Sequence, residues 1–106
     1  MLSVQASSYL FSEKRILNVK ANDITICETL EGRLLRVSDD YFDAAARDAE
    51  ILAKRISPDD YENLKKYWEN KSFTSIAFML RRYGLEFKGL TYLEVLVNEV
   101  LKRKEG

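Results

Sequence analysis

Apolar and polar residues change their rhythm once along this chain. Up to Val37 the apolar residues come in short runs, and from Ser38 onward they recur every three or four positions. Lys14-Arg15-Ile16-Leu17-Asn18-Val19-Lys20 is followed by Ala21-Asn22, then by Asp23-Ile24-Thr25-Ile26-Cys27-Glu28-Thr29. Glu31-Gly32 precedes Arg33-Leu34-Leu35-Arg36-Val37. The second run alternates, with Ile24 and Ile26 on one face and Thr25 and Cys27 on the other. Short β-rich runs with turn residues between them predict a three-stranded antiparallel meander. Ser8-Tyr9-Leu10-Phe11 is the candidate for a fourth, edge strand.

The second half is punctuated by helix signals. Ser38 and the acids Asp39, Asp40 and Asp43 suit a helix start, and Phe42, Ala45, Ala46, Ala49, Leu52, Ala53 and Ile56 form its apolar stripe. Ser57-Pro58-Asp59-Asp60 stops that helix and caps the next, on which Tyr61, Leu64, Lys65 and Trp68 share a face. Asn70-Lys71-Ser72 is a three-residue break. A third helix runs from about Phe73 to Tyr83, with Gly84 at the left-handed position that closes it. Gly89 sits in the connection that follows. Thr91-Tyr92-Leu93-Glu94 reads as a capping box, with Leu90 and Val95 as its hydrophobic staple. The last helix has Leu93, Leu96, Val97, Val100 and Leu101 as its apolar stripe and ends in Lys102-Arg103-Lys104. Strands followed by helices, not alternating with them, predict an α+β fold: a three- or four-stranded antiparallel meander, then four helices. At 106 residues the chain is expected to be a single domain, β-rich over 1–37 and helical over 38–106.

Composition narrows the chemistry. With no His, the chain lacks the commonest general base and metal ligand, and with Cys27 as its one cysteine it has neither an internal disulfide nor a Cys-rich zinc site. No Gly-rich phosphate cradle is present. The sequence therefore predicts a protein that is not an enzyme and needs no cofactor or metal. Asp39-Asp40-Tyr41-Phe42-Asp43 is a D-D-x-x-D string whose carboxylates suit Mg²⁺, but a metal site needs further acids converging in space. The string reads more simply as an acidic first helical turn. Cys27 reads as a small buried hydrophobe. One cysteine, no leader-like start and no run of about 20 apolar residues predict a cytoplasmic protein with no membrane association. Abundant Lys, Arg and Glu beside one Gln lean towards a thermophile.

Lys plus Arg and Asp plus Glu each number 17, so the net charge is zero. Residues 1–53 hold 6 basic and 9 acidic side chains, and residues 54–106 hold 11 and 8, so the halves carry −3 and +3. Two surfaces are expected from the basic half. The helix beginning at Phe73 is apolar nearly all round, and the last helix has a broad stripe. Phe78, Met79, Tyr92 and Leu96 are therefore candidates for a protein-binding surface, including self-association as a homodimer. That makes an accessory subunit, inhibitor or adaptor, of viral or plasmid type among others, the leading expectation. The alternative is a nucleic-acid-binding regulator that uses a helix-turn-helix-like unit at 58–83, with Lys65, Lys66, Lys71, Arg81, Arg82 and Lys88 on phosphates.

Overall fold

The computed structural model of the chain describes residues 18–29 and 31–105. The expected α+β order is found: strands β1 (Asn18–Ala21), β2 (Ile24–Glu28) and β3 (Leu34–Ser38), then helices α1 (Asp39–Arg55), α2 (Pro58–Glu69), α3 (Phe73–Arg82) and α4 (Leu90–Glu105). The chain divides between Asp39 and Asp40 into two units. Ser8–Phe11, the candidate fourth strand, and the start of the Lys14–Lys20 run lie outside the described residues.

The three strands form an antiparallel meander in the order β1-β2-β3. Asn22 and Asp23 both adopt positive φ, 54° and 69°, between Ala21 and Ile24. That is the two-residue type I′ turn whose twist matches a hairpin, and Asn and Asp tolerate it better than other non-glycine residues. The β2–β3 loop is drawn in by Thr29, whose Oγ1 accepts the N–H groups of Glu31 and Arg33 at 3.2 and 3.0 Å. Opposite partners across the ladder are Thr25 with Val37 and Cys27 with Leu35. All four are buried, so the sheet's inner face is the Thr/Cys face of β2, and Ile24 stays exposed on the other. Thr25 is satisfied there: its Oγ1 donates to Asp39 Oδ1 at 2.6 Å and accepts from Lys20 Nζ at 3.2 Å. The Cys27 thiol is buried and points at the Leu35 carbonyl, with Sγ 3.8 Å from the oxygen.

In the helical unit, α1 buries Phe42, Ala45, Ala49 and Leu52 of the expected stripe; Ile56 is buried just after the helix, and Ala46 and Ala53 are half-buried. Ser57 caps α2, its Oγ accepting the Asp60 N–H at 3.1 Å with Pro58 as the first helical residue. Both α2 and α3 end in Schellman motifs. At the end of α3, Leu85 N–H bonds the Leu80 carbonyl at 2.9 Å and Gly84 N–H bonds that of Arg81 at 3.0 Å, with Gly84 at φ 80°. At the end of α2, Ser72 N–H bonds the Tyr67 carbonyl at 2.8 Å and Lys71 N–H bonds that of Trp68 at 3.2 Å, with Lys71 at φ 59°. The break at Asn70-Lys71-Ser72 is thus a closed left-handed turn made without glycine. Helix α4 starts at Leu90, one residue before the expected cap, and the Gly89 carbonyl accepts the Leu93 N–H at 3.0 Å. Leu90 is exposed while Val95 is buried, so the expected staple is corrected: starting the helix at Leu90 turns that side chain outward.

Candidate functional site

Helix α3 presents two faces. Ile76, Met79 and Leu80 are buried; Thr74, Phe78, Arg81 and Arg82 are exposed. Residues at i, i+4, i+7 and i+8 of a helix share one side, so Thr74, Phe78, Arg81 and Arg82 form a continuous outward strip. Phe78, at its centre, is 61% exposed. A phenyl ring left in water between a threonine and two arginines is a surface feature with no structural use within the described chain.

The other three residues expected beside Phe78 are not on the surface, which corrects that part of the sequence reading. Met79 lies three residues after Ile76, on the same inward side, and is buried. Tyr92 is buried because its hydroxyl has a partner in the fold. It donates to Asp48 Oδ2 on α1, and its ring meets Tyr41 edge-on at 6.3 Å. Leu96 follows Tyr92 by one helical turn and is also buried. The breadth of the α4 stripe is taken up inside the chain, since Tyr92, Leu93 and every residue from Val95 to Leu101 are buried. Sequence reasoning had no signal for Asp48 as the partner that lets a tyrosine go inside. Burial, followed by the Asp48 hydrogen bond, pushes the Tyr92 phenol well above its ordinary value.

The six cations expected to contact phosphates fall into two groups. Lys65 pairs with Glu62 at 3.1 Å and Glu105 at 3.7 Å, Arg82 makes two hydrogen bonds to Asp60 at 3.1 and 3.3 Å, and Lys88 lies 3.9 Å from Asp48. Lys71 sits over the Trp68 ring, 6.0 Å from its centroid. Among the described residues Lys66, Lys71 and Arg81 have no acidic partner, and all three are exposed.

Arg82 and Tyr83 belong to a polar cluster that ties the helices together. Tyr83 Oη donates to Asp60 Oδ2 at 2.5 Å and accepts the Ser57 N–H at 3.2 Å, while Arg55 donates to the Tyr83 carbonyl at 3.0 Å. The Arg82 and then the Tyr83 hydrogen bonds hold the Asp60 carboxyl below its usual range. On α2, burial and the 2.5 Å bond to Glu105 raise the Tyr61 phenol, and that same bond lowers the Glu105 carboxyl. These pairs are structural joints between elements.

Among the described residues no three Cys, Asp or Glu side chains gather as a metal ion requires. Asp39 of the D-D-x-x-D string is held by Thr25 and by Lys20, 3.6 Å away. No described helix is long and apolar enough to cross a membrane. The chain matches no family model, no curated protein and no solved structure.

Proposed function

We propose that this chain works without catalysis, by binding other proteins through the outward strip of α3, and that it also associates with itself. The observation that carries the reading is Phe78, exposed at the centre of the strip and flanked by Thr74, Arg81 and Arg82. Exposed aromatics beside arginine are the composition of interface anchors. Arg81 has no acidic partner among the described residues and so is free to meet one on a partner surface. An adaptor, inhibitor or accessory subunit fits these features. A single, buried cysteine, Cys27, fits a cytoplasmic setting. The test is capture from source lysate with the wild-type chain and with Phe78→Asp side by side. A partner lost with the variant supports the reading. A partner held equally by both, or none at all, overturns the α3 strip as the binding site.

Lys66, Lys71 and Arg81, which have no acidic partner among the described residues, favour a second reading, nucleic-acid binding by the α2–α3 unit. It is weaker because Lys65, Arg82 and Lys88 already face carboxylates. Binding to a duplex should fall steeply with salt if three or more phosphates are neutralised, and no binding at low salt eliminates it.

A further inference from the structure

Among the described residues nothing packs on the apolar outer face of the sheet. Leu34 is 69% exposed, Val19 48% and Ile24 40%, with Ile26 half-buried among them. The register sets the layout of this face. Val19 lies opposite Ile26, Ile26 opposite Arg36, and Glu28 opposite Leu34. Ile26, Glu28, Leu34 and Arg36 are therefore the corners of a rectangle, with Glu28 and Arg36 on one diagonal and Ile26 and Leu34 on the other. Strand spacing and rise make its sides about 4.8 and 6.8 Å, so the diagonals cross at about 70°.

This pattern complements itself. A two-fold axis lying in the plane of the face, perpendicular to the Glu28–Arg36 diagonal, runs within about 20° of the Ile26–Leu34 diagonal. Extended towards β1, it passes close to Val19. Rotation about it lays Leu34, Ile26 and Val19 over the same residues of a second copy. The same rotation brings Glu28 of each copy over Arg36 of the other. Among the described residues neither Glu28 nor Arg36 has an ion-pair partner. We infer that the outer sheet face, through Val19, Ile26, Leu34 and the Glu28/Arg36 pair, binds a second copy of this chain as an isologous dimer. This inference rests on the self-association part of the reading above and is independent of the α3 strip. A face of three short strands is small for an interface, so the dimer forms in a concentration-dependent way.

The test is sedimentation equilibrium of the full chain with charge reversal. Glu28→Lys alone and Arg36→Glu alone each set like charges against each other twice, and each should weaken the dimer about tenfold or more. Mixed together, the two variants regain both opposite-charge pairs and should form a heterodimer as tight as wild type. Leu34→Cys should be crosslinked copy to copy by a short bismaleimide, since Cys27 is buried. A wild-type dimer indifferent to both reversals, with no crosslink at position 34, overturns the sheet face while self-association stands. A wild-type chain that is monomeric at every concentration overturns both.

Discussion

Tyr83 donates its hydroxyl hydrogen to Asp60 at 2.5 Å, and the same oxygen accepts the N–H of Ser57 at 3.2 Å. Asp60 is the third residue of α2, where the carboxylate of a capping box reaches back to the N-cap amide. Here the tyrosine at the end of α3 is inserted into that exchange, so the start of one helix is capped through the end of the next. Arg55, donating to the Tyr83 carbonyl, brings the end of α1 to the same point.

Tyr83→Phe removes both bonds while keeping the ring. It should cost about 1 kcal/mol in urea unfolding, and Ser57→Ala about the same. Because the two residues share one network, the double variant should lose less than the sum. The cluster also has a pH signature. A carboxyl held below its ordinary value contributes stability above the unfolded value, about 3.9. That contribution is lost as pH falls through the lower folded value. Wild type should therefore lose more stability below about pH 4 than Asp60→Asn does, measured by midpoint against pH.

The helix punctuation was legible because it is local. Ser57-Pro58-Asp59-Asp60 and Gly84 act through neighbouring backbone groups, and each was found at its expected boundary. The meander was legible for the same reason. The sheet's inward face was not, since alternation separates Ile24 and Ile26 from Thr25 and Cys27 without saying which pair is buried. The buried choice depends on Thr25 being satisfied by Lys20, across the hairpin, and by Asp39, 14 residues on in sequence. Tyr92 and Met79 were misassigned to the surface by the same limit. An apolar stripe shows how much surface a helix must bury, and distant residues such as Asp48 decide where.

Lys71 offers the opposite case, a left-handed position held by a residue that does not favour it. Its φ of 59° closes the end of α2, and its ammonium over Trp68 returns part of the strain. Lys71→Gly should stabilise the chain by about 0.5–1 kcal/mol. Gly84→Ala should destabilise by about 1 kcal/mol, through φ alone. A Cβ there would meet nothing within 4 Å. Thermal unfolding of both variants checks the pair of signs.

Thr25→Val tests the inner face of the sheet. The swap keeps the shape but removes the hydroxyl that donates to Asp39 and accepts from Lys20. The loss should be about 1 kcal/mol rather than the larger penalty of a stranded buried charge, because Lys20 Nζ and Asp39 Oδ1 already lie 3.6 Å apart and can pair directly. A double-mutant cycle with Asp39→Asn measures how much of that loss belongs to the Thr25–Asp39 bond.

Two buried phenols make alkaline pH the other limit of stability. Tyr61 and Tyr92 are both raised, by burial first and then by hydrogen bonds to Glu105 and Asp48. A raised phenol favours the neutral folded form. Its contribution is complete below the unfolded value of about 10 and declines as pH rises above it. Phenolate absorbance should therefore show Tyr61 and Tyr92 titrating late, and only with unfolding. Tyr92→Phe should remove one late proton and leave Asp48, among the described residues, with Lys88 3.9 Å away as its partner. Since that cation is half exposed, it replaces the lost hydroxyl only in part. Tyr92→Phe should therefore lose stability at neutral pH and lose less than wild type above pH about 10. Tyr61→Phe removes the other late proton and frees Glu105 from the bond that lowers its carboxyl. Tyr61→Phe should therefore also flatten the loss of stability in acid, since the low Glu105 carboxyl of the wild type returns towards its ordinary value without that bond.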